Sequence, residues 1–181
     1  TMEKAVGKVT LLKENFEHCG IKHETTEKAV CMHQNHYAAQ LRPIAETLLG
    51  EHADDKLCSE FSEELPTLYM SLLGGLAWLV LTRLDICIYV QCMQRHAQAP
   101  RVEDVKKLNR LLRWVQKRPA GIVYFRGMRM QQWRLSAVSD SAFRSLEDSS
   151  TGLALRGFVV LLTEVNADHP GGRCLVLDYG T

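Results

Sequence analysis

Between Val102 and Lys117 the apolar residues fall at Val102, Val105, Leu108, Leu111, Leu112 and Val115. Their i, i+3, i+4 recurrence predicts an amphipathic helix, and it is the strongest helical signal in the chain. Pro119 sets the far limit, because proline cannot continue a helical hydrogen-bond ladder. An apolar stripe of this width has to be covered by a core. Any fold proposed for the chain must therefore place this helix against other apolar elements.

A second constraint is the stretch from Leu65 to Thr82, which contains no charged residue. Its length approaches that of a membrane span. Pro66, Thr67, Ser71, the Gly74-Gly75 pair and the charges just outside argue for a buried core helix instead. Pro66 fits the first turn of a helix running to about Leu81. Asp85 is placed to begin a further helix through Ile86, Val90 and Met93, ending near Ala99-Pro100.

The flanks have a different texture. Upstream, Phe16, His18, Gly20 and Ala29, Cys31, His33 alternate as paired strands would, with Glu24 to Lys28 as the turn. Asn35 is a plausible N-cap of a short helix stopped by Pro43. Ile44 to Leu65 is more polar, and Gly50 to Lys56 reads as a loop or weakly ordered linker. After Ala120-Gly121, strand-like runs take over: Ile122–Phe125, Trp133–Val138, Leu155–Leu162 and Cys174–Leu177, the last two split by a turn at Asp168–Arg173. The fold class expected is α+β, with a helical part giving way to a β part near residue 120.

The chain has 181 residues and a net charge of +1, enough for one full domain or two small ones. Bulk charge does not mark a nucleic-acid binder, so any such function must come from a local patch. The opening residues mix Lys and Glu and lack the apolar run of a secretory signal. The six cysteines are thus expected to be reduced thiols, with the protein intracellular, in cytoplasm or nucleus.

Three groups of residues invite a chemical reading. His18, Cys19, His23, Cys31, His33 and His36 crowd together, but there is no Cys-x-x-Cys pair and no finger-like spacing, so ordinary strand residues are favoured over zinc. Lys106, Arg110, Arg113 and Lys117 recur at helical spacing opposite the apolar stripe, with Trp114 at the border. Such a face could lie along a phosphate backbone, although any soluble amphipathic helix needs a charged outer face. Asp140, in "RLSAVSDSAF", closes an alternating run. A strand-end Asp is ordinarily structural. Metal-dependent nucleases, however, place such carboxylates around divalent ions, and Glu147, Asp148, Glu164, Asp168 and Asp178 are the acids nearby in sequence.

Longer blocks resemble a known family. "YMSLLGGLAWLVLTRLDI" resembles the Tyr-x-Ser-Leu-x-Gly-x-Leu … Thr-Arg-Pro-Asp-Ile block of copia-type retrotransposon Pol polyproteins. "VKKLNRLLRWVQKRPAGIVY" resembles the family's helix ending Leu-Arg-Tyr-Leu, followed by Gly-Leu-x-Tyr. "SAVSDSAF" resembles Tyr-Ser-Asp-Ala-Asp-Trp, and "SSTGLALRGFVVLL" resembles a Ser-Thr-Ser-Gly-Tyr block. "FEHCGIKHETTEKAVCMHQNHYAAQLRPI" resembles the strands and helix after the polymerase active site. These blocks follow one another in the family's order and cover nearly the whole chain.

The resemblance implies three parts. Residues 1–64 would be the end of a reverse transcriptase palm and the approach to the thumb. Residues 65–120 would be helical thumb or connection. Residues 121–181 would be the first strands of an incomplete ribonuclease H-like domain. Asp140 would be that domain's first catalytic, metal-binding Asp, using Mg²⁺ or Mn²⁺ in an intact parent enzyme. Lys106, Arg110, Arg113 and Lys117 would face an RNA–DNA hybrid or primer–template duplex. The implied partners are that duplex and the rest of the Pol polyprotein, with no membrane.

Departures limit the activity expected. The family's Tyr-x-Asp-Asp polymerase motif does not occur here, and polymerisation needs those metal-binding carboxylates. The later ribonuclease H carboxylates would follow the region that ends at Thr181, so the chain is expected to be inactive alone and to hold no metal stably. Leu84 stands where the family has Pro, Phe143 where it usually has Trp, and Ser141 where it often has Ala. The alternative expectation is a non-catalytic nucleic-acid-binding or interaction module derived from a retroelement.

Overall fold

The computed structural model describes residues 14–49, 54–127, 133–142, 155–164 and 174–180. Helices and antiparallel sheets together give an α+β architecture. Strands β1 (Phe16–His18), β2 (Ile21–Thr25), β3 (Ala29–His33) and β4 (Ile122–Phe125) form one four-stranded sheet in the order β1-β2-β3-β4. Strands β5 (Trp133–Ala142), β6 (Leu155–Glu164) and β7 (Cys174–Gly180) form a three-stranded sheet in the order β5-β6-β7.

The alternation between Phe16 and Gly20 conceals a turn. Cys19 and Gly20 both have positive φ, 48° and 70°, so the backbone reverses there in the manner of a two-residue hairpin whose twist suits its strands. Strand β2 follows and pairs with β1 through Phe16↔His23 and His18↔Ile21, so it lies between β1 and β3. The turn expected over Glu24–Lys28 links β2 to β3 and is closed by Thr26 N–H donating to Ala29 O at 2.8 Å. Ile122–Phe125, grouped by sequence with the later strands, pairs with β3 through Cys31↔Val123 and Val30↔Tyr124.

The α-helices among the described residues are α1 (Asn35–Gln40), α2 (Glu64–Leu79), α3 (Cys87–Arg95) and α4 (Val102–Lys117). The uncharged stretch forms most of α2, with Pro66 in its first turn. Among the described residues no helix is long and apolar enough to cross a membrane. Asn35 does not cap α1 but is its first residue, and its Oδ1 accepts from Ala120 N–H at 3.2 Å. Asp85 does not open α3 either. Its carboxylate is taken by the Arg83 guanidinium through two bonds of 2.9 and 2.8 Å, and a 3₁₀ turn at Leu84–Ile86 precedes the helix.

The core lies where α4 meets α2 and α3. Val102, Val105, Leu108, Leu112 and Val115 pack with Leu65, Tyr69, Leu72, Leu76 and Leu79 and with Ile86 and Val90, all of them buried. Of the segment expected to be a loop or weakly ordered linker, Gly50–Lys56, residues 54–56 are described and form a turn and bend beside the start of α4, while Ile44, further upstream, is tied to the middle of that helix. Ile44 N–H donates to Asn109 Oδ1, and Asn109 Nδ2 donates to Ile44 O, each at 2.8 Å. Val102 N–H and Glu103 N–H donate to Lys56 O and Asp54 O, both at 3.1 Å. The second sheet touches the rest through Tyr124 Oη, which donates to Val176 O at 3.2 Å, and through Tyr179 Oη, which donates to Val80 O.

Candidate nucleic-acid interface

Burial of the apolar stripe fixes how α4 presents its other side. Lys106, Arg110, Arg113 and Lys117 all emerge on the exposed face, as their spacing predicts. They are not equivalent. Lys106 Nζ is bound to Asp54 Oδ1 at 2.5 Å, and Arg113 Nη2 to Glu46 Oε1 at 2.6 Å. The Arg113 hydrogen bond, and then its charge, hold the Glu46 carboxyl below the ordinary range. Arg110 and Lys117 form no ion pair among the described residues. Two of the four cations are therefore engaged by acids of the preceding segment. A phosphate must displace those acids or settle on Arg110 and Lys117.

Beside this face a cleft opens between α3 and α4. It encloses about 640 Å³ and is lined by Asp85, Tyr89, Met93, Lys107, Arg110, Leu111, Trp114 and Arg118. The Arg83 and Arg118 guanidinium carbons lie 5.4 and 5.0 Å from the Trp114 ring centroid, within cation–π range. Arg83 is neutralised by Asp85 and also donates to Arg118 O at 2.9 Å. Lys107 is tied to Glu103 at 2.8 Å. Sequence spacing identified Arg110 but not this cleft, because Tyr89 comes from another helix and Arg118 follows the end of α4. The signal available was the recurrence of Lys107, Leu111, Trp114 and Arg118 on a neighbouring helical ridge.

Asp140 lies within β5, exposed and opposite Gly157. Directly paired residues share a face, and neighbours along a strand alternate. Glu164 pairs with Trp133, and Asp178 pairs with Val160, itself opposite Ala137. Both acids therefore belong to the face of the odd-numbered β5 residues, opposite to that of Asp140. Glu147, Asp148 and Asp168 lie outside the described residues. A pair of divalent ions needs several carboxylates around one point, and the described acids of this sheet do not supply that arrangement.

The His/Cys cluster is likewise dispersed. Cys19 occupies the first turn beside His18. His23 stacks on Phe16 with ring centroids 4.4 Å apart. His33 meets Glu24 at 3.2 Å, and His36 meets Glu17 at 3.5 Å. Burial, reinforced by Glu24, pushes the Cys31 thiol up. No group of three or more potential ligands forms among the described residues. No family model, curated protein or solved structure matches the chain.

Proposed function

We propose that this chain binds a nucleic-acid duplex along the outer face of α4, and that it derives from the reverse transcriptase–ribonuclease H junction of a copia-type retrotransposon Pol polyprotein. The observation that carries the binding reading is the state of the cationic face. Arg110 and Lys117 stand exposed without an ion pair among the described residues, on a helix anchored by its buried stripe. A fixed row of cations exchanges counterions with a phosphate backbone and so gains salt-dependent affinity. The lineage reading is supported by the ordered sequence blocks. The α+β arrangement, with helices preceding a three-stranded antiparallel sheet, agrees with it.

Among the described residues, strand register brings no second carboxylate to the face of Asp140, which is consistent with the non-catalytic version of this reading. Mg²⁺ or Mn²⁺ chemistry would require carboxylates that converge with Asp140, and Glu164 and Asp178 belong to the opposite face. No catalytic step is assigned to the described residues. The test is fluorescence anisotropy with a labelled RNA–DNA hybrid, comparing the chain with a variant in which Lys106, Arg110, Arg113 and Lys117 are all Gln. Salt-sensitive binding lost in the variant is expected, and unchanged affinity refutes the assignment. The same hybrid incubated with Mg²⁺ should remain intact. Cleavage abolished by Asp140→Asn would establish the catalytic version instead.

A further inference from the structure

The cleft between α3 and α4 adds to Arg110 two side chains that the duplex reading does not use, Tyr89 and Arg118. Tyr89 is 58% exposed and makes no hydrogen bond or ring contact among the described residues. Arg110 and Arg118 line the same cleft and form no ion pair among the described residues. Asp85, the one carboxylate of the lining among the described residues, is held by Nε and Nη2 of Arg83 and presents little uncompensated negative charge. Trp114 serves as the platform on which Arg118 rests. What remains available to a ligand is one open aromatic face with two guanidinium groups beside it.

We propose that this cleft binds single-stranded nucleic acid, with one base stacked on Tyr89 and flanking phosphates on Arg110 and Arg118. The proposal rests on the reading of α4 as a nucleic-acid surface and adds a second site, continuous with the duplex face through Arg110. A volume of about 640 Å³ lies within the range of about 300–1,000 Å³ typical of small-ligand pockets, which accommodates a nucleobase. Stacking on an aromatic face tolerates any base, and neighbouring cations follow the backbone; this combination characterises sequence-independent single-strand sites. Arginine suits the role because its planar fork can bind phosphate through two parallel bonds.

The experiment uses the whole chain with two fluorescent probes at low salt, an oligo(dT) strand and a blunt-ended duplex. Tyr89→Ala should weaken oligo(dT) binding at least fivefold, consistent with the loss of one stacked base, and leave the duplex affinity unchanged. Tyr89→Phe should retain oligo(dT) binding, because the ring rather than the hydroxyl is required. Arg118→Gln should weaken oligo(dT) alone. Tyr89 is largely exposed, so circular dichroism should show Tyr89→Ala to be folded. Duplex binding without oligo(dT) binding, or oligo(dT) binding indifferent to Tyr89→Ala, overturns the cleft and leaves the duplex reading standing. Binding of neither probe removes both. Tyr89-dependent capture of a phosphotyrosine peptide in place of oligo(dT) also overturns the proposal.

Discussion

Replacing Asn109 with Leu tests how the segment before α2 is held to α4. Asn109 is 2% exposed and Ile44 6%. The Asn109 amide satisfies both backbone polar groups of Ile44 through two bonds of 2.8 Å. Leucine has similar bulk and can make neither bond. Each buried backbone group left without a partner costs about 1–3 kcal/mol, so Asn109→Leu should cost about 2–6 kcal/mol. That is a large share of the roughly 5–15 kcal/mol by which domains are stable. Urea unfolding followed by circular dichroism measures it. With a slope of about 2 kcal/mol/M, the midpoint should fall by roughly 1–3 M. Lys106→Gln, which breaks only an exposed ion pair, should cost no more than about 1 kcal/mol. A loss for Asn109→Leu as small as that for Lys106→Gln would refute the reasoning, because it would mean that Ile44 regains its bonds elsewhere.

Two further outcomes are expected. Maleimide labelling of the native chain should modify the exposed Cys19 and Cys174 first and Cys58 last. Cys58 is fully buried, and burial, then the Asp104 carboxylate, push its thiol up to about 11. Labelling of Cys58 at the rate of Cys19 would contradict the packing. Asp85 has its carboxyl lowered, first by the hydrogen bond from Arg83. Its contribution to stability is therefore present above the unfolded-state value of about 3.9 and is lost as pH falls through the lower folded-state value. Asp85→Asn should be less stable than the parent at pH 7, with the difference closing in acid. A difference in urea midpoint that stays constant with pH would refute this.

The sequence made the helices legible where periodicity was uninterrupted. Helix α4 spans the residues its stripe marks, and α2 follows the uncharged stretch. Local chemistry failed where a long-range or competing bond decided the outcome. Asp85 resembles a helix cap, but the Arg83 side chain claims its carboxylate. Gly20 resembles a strand residue, but with Cys19 it makes the turn that creates β2. The cationic face was legible as a face. Its division into engaged and unpaired members was not, since Asp54 and Glu46 lie far from Lys106 and Arg113 in sequence. The position of Asp140 against Glu164 and Asp178 depends on strand register, which alternation alone leaves open.

The most direct test of the central claim is the salt dependence of duplex affinity for the parent chain and for Arg110→Gln/Lys117→Gln. If these two cations neutralise phosphates, the slope of log K against log salt should become shallower by about 1.8, at roughly 0.9 per lost contact. Lys106→Gln/Arg113→Gln should change the slope less, because those side chains already hold Asp54 and Glu46. Equal slopes for the parent and Arg110→Gln/Lys117→Gln would contradict the account.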